Sequence, residues 1–182
     1  MKITKNDIDG LLIIEPVVFE DSRGCFFESY NSKKFILNKL MYFFVQDNEA
    51  ISTYGVIRGL HFQHSPMAQS KLVRVSYGEV LDVVIDLRPN SRTYKNIFSI
   101  LLNHENKKQL LIPKGFAHGY SVLSETSVFN YKCDNYYSKE HEGGIHPLDS
   151  HFNVDWRIPS DKIVISEKDQ SLPNFNSDTN FN

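Results

Sequence analysis

Arg58-Gly59-Leu60-His61-Phe62-Gln63, followed by Gln69-Ser70-Lys71-Leu72-Val73-Arg74-Val75, decides how the rest of the chain is read. Two arginines, a lysine and a histidine fall on backbone that reads as β-strand. Alternate residues of a strand point to opposite faces. Val73 and Val75 therefore share the face of Lys71, and Leu72 and Arg74 share the other. His61 and Gln63 lie on one face and His64 on the other. A basic group and a proton acceptor held rigidly near each other suit an anionic substrate that must lose a proton.

Working outward, short apolar runs recur between turn signals, the pattern of an all-β sandwich or barrel. The runs predict strands at Leu11–Phe19, Gly24–Ser29, Phe43–Ser52, Gly55–Phe62, Lys71–Tyr77, Val80–Arg88, Asn96–Leu102, Lys108–Ile112, Gly119–Leu123 and Ser127–Asp134. Gly78-Glu79 makes a tight turn, and Pro113-Lys114-Gly115 makes another. Helical spacing of Phe35, Ile36, Lys39 and Leu40 predicts a helix over Ser32–Leu40, with Ser32 as its cap. Residues 1–173 are expected to form one domain. The stretch Ser171–Asn182 is polar and rich in Asn and Ser, and 174–182 is expected to be a mobile or partner-draped tail.

With 182 residues, 41% of them hydrophobic, the chain can bury a sizeable core. A net charge of -2 argues against nucleic acid as the main partner, so any cationic site must be local. Thirteen Phe and nine Tyr against one Trp favour strands and stacking surfaces. Cys25 and Cys133 form no CxxC pair, and Met1-Lys2-Ile3-Thr4-Lys5 leads into no apolar run. A reduced, cytoplasmic protein is the expectation. No segment has the ~20 consecutive apolar residues that span a bilayer, so no membrane association is expected.

Each candidate residue has an ordinary reading beside a chemical one. His61 is a core histidine satisfied by hydrogen bonds, or a base matched to neutral pH. Arg58, Lys71 and Arg74 are solvated strand residues that discourage edge pairing, or the cations of an anion site. Lys71 and His61 together inside a barrel would need partners. Tyr131, alternating with Phe129 and Cys133, is a core aromatic or a phenol serving as general acid. Asp169 is a surface acid, or the carboxylate that orients a histidine and stabilises its cation. His118, beside Gly115 and Gly119, is a turn histidine or lies where backbone approaches a ligand. Metal binding is disfavoured, because Gln63 stands where a His-x-His pair would have its second histidine.

Taken in order, these residues sit in blocks that resemble the dTDP-4-dehydrorhamnose 3,5-epimerases, the RmlC-type branch of the cupin fold. The blocks include Asp21-Ser22-Arg23-Gly24 with Phe27-Glu28, Gln46-Asp47-Asn48, Gly55–Gln63, Ala68–Val75 and Gly78–Val83. Asp86-Leu87-Arg88, Glu105-Asn106-Lys107, Ile112–Gly119, Tyr131-Lys132, Tyr136-Tyr137, Glu140-His141-Glu142 and Ser166–Gln170 follow. The resemblance spans about the first 173 residues.

It implies an antiparallel double-stranded β-helix (a jelly-roll barrel) with a few short helices. It implies inversion of C3 and C5 of dTDP-4-keto-6-deoxyglucose through enolates, giving dTDP-4-keto-L-rhamnose, with no cofactor and no metal. His61 is then the base, Asp169 its partner, Tyr131 the acid on the opposite ring face and Lys71 the cation at the C4 oxygen. Arg23 and Arg58 are diphosphate ligands, and Glu28, Gln46, Asp47 and Asn48 lie on the nucleotide side. His118, Tyr137, Glu142 and Lys168 complete the site. A homodimer with crossed N-terminal strands is implied, with Arg23 serving the neighbour's pocket. Where the family commonly reads Glu-His-Glu-Arg-Gly-Ile-Arg-Trp-Asp, this chain has Glu140-His141-Glu142-Gly143-Gly144-Ile145-His146-Pro147-Leu148. Inversion of only C3 or only C5, a different sugar nucleotide, a metal-dependent cupin and a non-catalytic sugar-binding cupin are the competing expectations.

The chemistry suits these residue types independently. A C–H beside a ketone is acidic because charge moves onto the oxygen, and a cation there lowers the barrier by ~3–4 kcal/mol. Inversion then needs removal of a proton on one face and delivery on the other.

Overall fold

The computed structural model describes residues 1–176 and 181; part of the expected tail at 174–182 lies outside the described residues. Two six-stranded sheets, antiparallel but for one strand, face each other. The first contains β1 (Lys2–Lys5), β2 (Leu12–Glu15), β5 (Gln46–Thr53), β7 (Lys71–Tyr77), β10 (Gln109–Ile112) and β12 (Thr126–Cys133), in spatial order β1-β2-β10-β7-β12-β5. The second contains β6 (Val56–Gln63), β8 (Glu79–Asp86), β9 (Ile97–Asn103), β11 (Phe116–Val122) and β13 (Glu142–Gly144), in order β13-β6-β11-β8-β9. Its sixth strand, β14 (Val164–Ile165), runs parallel to β6. β3 (Val18–Asp21) and β4 (Gly24–Phe27) form a separate hairpin. The architecture is the expected jelly-roll.

Burial parity explains the pattern. Val80 and Val84 of β8 enter the core between the sheets, packing with Val73, Val75, Tyr120, Val122 and Phe129. Leu81, Val83 and Ile85 enter a second core on the outer face, under Ile145, Phe152 and Trp156. Both faces of β8 are thus covered, which is why it reads as a nearly unbroken apolar run. Each such fully buried aliphatic side chain stabilises the fold by about 1.5–3 kcal/mol. Asp82 has the parity of Val80 and Val84, so this one carboxylate is turned inward among valines.

Several boundaries differ from expectation. The run Leu11–Phe19 is two strands, because Pro16 lacks the N–H needed to continue the ladder. Asn31, not Ser32, caps α1 (Ser32–Leu37), its side chain accepting from the Lys34 amide at 3.1 Å. His118 is not in a turn: β11 begins at Phe116 and holds it mid-strand. Of the described tail, Phe175 packs on Phe152 and donates its amide to Asp149, and the Phe181 amide bonds to the Leu87 carbonyl. These described residues are docked, because their aromatic rings complete the outer core.

Candidate active site

The two sheets enclose a cavity of about 490 Å³, open at one end, and most of the expected residues line it. Its construction starts at Gly59. In a regular strand Arg58 and His61, three apart, would face opposite ways. Here both line the cavity, while Ile57, Leu60 and Phe62 all enter the outer core. The alternation slips by one residue at Gly59, whose φ is +121°, opposite a register shift between His118 and Tyr120 of β11. A Cβ at Gly59 would lie 2.6 Å from the Gly119 Cα and 2.8 Å from the His118 carbonyl oxygen. Only glycine fits there.

The slip also presents the Gly59 amide to Asp169. Asp169 lies in α2 (Glu167–Gln170), whose cap is the Ser166 side chain accepting from the Asp169 amide at 3.1 Å. Its Oδ2 accepts from Gly59 N at 3.2 Å and its Oδ1 meets His61 Nε2 at 2.7 Å. Asp169 is not the surface acid of its ordinary reading; it is 4% exposed. Burial works to raise its pKa, but the hydrogen bond and charge of His61 and the Gly59 amide outweigh it and hold the carboxyl below its usual range. An ionised Asp169 accepts a hydrogen bond from Nε2–H of a neutral ring, so Nδ1 is the basic nitrogen.

Lys71 and Tyr131 come from the facing sheet, on β7 and β12. The expected parity holds: Lys71, Val73 and Val75 face inward, while Leu72 packs outside with Leu111 and Phe35. Lys71 is half-buried in the cavity wall. Burial lowers its pKa, against the influence of Cys133, Asp82 and Glu142. The Cys133 thiol is itself pushed up to about 11 by burial, so at neutral pH it carries no charge. Asp82, fully buried, holds His118 Nε2 at 2.9 Å through Oδ2. Burial raises the Asp82 pKa, opposed by His118 and Lys71. Tyr131 is raised by burial too, so it remains a protonated donor at neutral pH.

At the mouth, Tyr137 Oη donates to Glu142 Oε2 at 3.0 Å and Lys168 Nζ meets Glu142 Oε1 at 2.6 Å. That clasp ties α2 to β13. Gln46 Nε2 donates to Asn48 Oδ1 at 2.9 Å, and Arg58 Nε to Ser52 Oγ at 3.1 Å. Three expected residues are elsewhere. Asp47, between Gln46 and Asn48, is turned to the opposite face by strand alternation and pairs with Lys132 at 2.6 Å. Arg23 sits at the tip of the β3–β4 hairpin, its side chain 88% exposed and paired with Asp21. Glu28 pairs with Lys34 and Asn31 beside α1. Neither Arg23 nor Glu28 lines the cavity.

Gln63, weighed as a substitute for a metal-binding histidine, is a loop anchor. Its amide donates to the Tyr136 carbonyl at 3.1 Å and accepts from the Ser138 amide at 2.7 Å. Among the described residues, no three His, Cys, Asp or Glu side chains are placed to hold a metal ion. Sequence reasoning missed Tyr120 and Gln69, which line the cavity, and Asp82, which is buried behind it on His118. For Asp82 the signal was available: a lone acid in Val80-Leu81-Asp82-Val83-Val84-Ile85 must find a buried partner. At the segment that departs from the family pattern, a Cβ on Gly143 would lie 2.6 Å from the Phe62 ring. Gly143 and Gly144 border a groove of about 400 Å³ that adjoins the mouth through Phe62, Glu142 and Lys168.

Comparison with known proteins agrees with this geometry. A sequence model described as dTDP-4-dehydrorhamnose 3,5-epimerase matches residues 5–177. The Escherichia coli K12 protein of that name is 46% identical over 174 residues, covering 94% of this chain and 93% of the relative. The crystal structure of dTDP-4-dehydrorhamnose 3,5-epimerase from Elizabethkingia anophelis superposes with a TM-score of 0.91 at 51% identity, covering 96% of each chain. The RmlC structure from Legionella pneumophila, in complex with dTDP-4-keto-L-rhamnose, superposes at 0.88 with 42% identity, covering 97% of this chain and 99% of that one. With a His–Asp dyad, a lysine and a tyrosine converging in a jelly-roll cavity, and with full-length relatives at this identity, the chain belongs to the dTDP-4-dehydrorhamnose 3,5-epimerase family.

Proposed function

We propose that the protein inverts C3 and C5 of dTDP-4-keto-6-deoxyglucose to give dTDP-4-keto-L-rhamnose. One observation carries this reading: the His61–Asp169 dyad and the Lys71–Tyr131 pair stand on opposite walls of one cavity. His61 Nδ1 takes the proton beside the C4 ketone while Asp169 stabilises the resulting imidazolium. The electron pair moves onto the C4 oxygen, where the Lys71 ammonium stabilises it. Tyr131 returns a proton to carbon from the other wall, inverting the centre. His61 and Tyr131 exchange protons with solvent before the second inversion. Proton removal and return leave the sugar's oxidation state unchanged, so no redox cofactor is called for.

Arg58 is the diphosphate ligand supplied by this protomer, and Gln46 and Asn48 lie on the nucleotide side. Among the described residues, the β3–β4 hairpin pairs with no other strand, and it exposes Phe19 and Phe26 at 63% and 68%. An isolated hairpin is marginally stable. A second copy that covers it and receives its Arg23 into the neighbouring cavity accounts for both facts. Among the described residues, no helix is long and apolar enough to cross a membrane. We place the enzyme in the cytoplasm, in keeping with the free Cys25 and Cys133. The test is incubation with dTDP-4-keto-6-deoxyglucose and assignment of product stereochemistry by NMR. Inversion at both centres is expected. The altered Gly143–Leu148 rim motivates a second reading, a monoepimerase, for which a product inverted at one centre alone would decide.

A further inference from the structure

We propose that the Tyr120 phenol is a further substrate-binding group, donating a hydrogen bond to a phosphate oxygen of the sugar nucleotide beside Arg58. This rests on the nucleotide-sugar reading above. Tyr120 lines the cavity and is 5% exposed. Its ring stacks on Phe129 with centroids 4.1 Å apart and planes within 13°, which fixes where the hydroxyl points. That hydroxyl is buried and has no hydrogen-bond partner among the described residues. Buried hydroxyls are normally bonded, and phenylalanine would fill the same stack without the cost. An orphan phenol in a cavity wall therefore points to a partner that arrives with the ligand.

The surroundings choose the partner's chemistry. Tyr120 is directly opposite Arg58 in the β6–β11 register. Ser52 lies close enough to lower the phenol's pKa, yet it makes no formed hydrogen bond with the phenol, and its Oγ already accepts from Arg58 Nε at 3.1 Å. Two donors from adjacent strands, one of them cationic, converge on the same part of the cavity. The acceptor they suit is an anionic oxygen. Burial raises the phenol's pKa beyond what Arg58 and Ser52 take back, so it stays protonated at neutral pH and has a proton to donate.

The test is Tyr120→Phe, which keeps the stack and deletes only the hydroxyl. Binding of dTDP is measured by calorimetry, alongside kcat, KM and the thermal midpoint. The proposal predicts dTDP binding weakened about tenfold, roughly 1.4 kcal/mol, a matching rise in KM, near-constant kcat and an unchanged or higher midpoint. Unchanged dTDP binding and KM would make Tyr120 a packing residue and overturn the proposal. Unchanged dTDP binding with a lower kcat would move the hydroxyl to the sugar ring and overturn the phosphate assignment. A lowered midpoint with unchanged dTDP binding would make the hydroxyl structural and likewise overturn it. Wild-type protein that binds dTDP but leaves the sugar unchanged would contradict the reaction, while the dTDP comparison would still decide Tyr120.

Discussion

Asp169→Asn separates the charge of the dyad from its geometry. The wild-type carboxylate accepts twice, from Gly59 N at 3.2 Å and from His61 Nε2 at 2.7 Å. An asparagine has one acceptor oxygen and one NH₂ group. If the NH₂ faces Gly59, two buried donors confront each other at a cost of about 1–3 kcal/mol. The amide oxygen therefore goes to Gly59 and the NH₂ points at His61. Nε2 must then accept, the proton moves to Nδ1, and the basic nitrogen is on the wrong side of the ring. Loss of the charge-assisted bond alone, about 1.5–3 kcal/mol, slows the reaction about 10- to 150-fold, and the wrong tautomer adds to that. The assay is kcat for epimerisation, with ¹⁵N NMR of the His61 ring reporting the tautomer and circular dichroism checking the fold. A folded variant with kcat within about threefold of wild type, a barrier change under ~1 kcal/mol, would refute the reasoning.

Three further outcomes are expected. Lys71→Met removes the cation at the enolate oxygen and should slow solvent-deuterium exchange about 100- to 1,000-fold, while the thermal midpoint holds or rises because a desolvated ammonium is gone; unchanged exchange would remove Lys71 from the mechanism. Because burial lowers the Lys71 pKa, kcat/KM should fall on an alkaline limb below lysine's ordinary ~10.4; Asp82→Asn removes a nearby negative charge and should move that limb to lower pH, and an unmoved limb would exclude the coupling. Asp86 is buried and bound to Arg88, Ser91 and Thr93, which outweigh the effect of burial and hold its pKa down. Its contribution is present above the unfolded carboxylate value of ~3.9 and is lost as pH falls through the lower folded value; Asp86→Asn should cost about 3–5 kcal/mol at pH 7 in urea unfolding, with the difference shrinking in acid.

Much of this was legible in the chain. β7 occupies the expected Lys71–Tyr77, and its parity placed Lys71 inside with Val73 and Val75. Tyr131 faces inward with Phe129 and Cys133 because β12 is regular from Phe129 to Cys133. Reading failed where regularity fails. A strict two-residue period cannot put Arg58 and His61 on one face; the slip at Gly59 does so, and it depends on the close approach of Gly119 from a strand distant in sequence. Asp47 fails for the opposite reason: β5 is regular, so the residue between two cavity side chains must point away. Tyr120 went unremarked because an inward face is known only once both sheets are in place. The pairing of Asp169 with His61, 108 positions away, came from the family resemblance rather than from local pattern.

The measurement that bears most directly on the two-wall mechanism uses Tyr131→Phe and wild-type protein side by side in deuterated water with dTDP-4-keto-6-deoxyglucose. NMR of each sample reads deuterium at C3 and C5 and the configuration of both centres. Wild type should place deuterium at both and invert both. The variant keeps His61 and Lys71, so it should still form the enolate and take up deuterium at one centre or more, while net inversion falls much further than exchange. A variant that inverts both centres at the wild-type rate would contradict the account, leaving Tyr131 a packing residue and the second proton to come from Tyr137 or water.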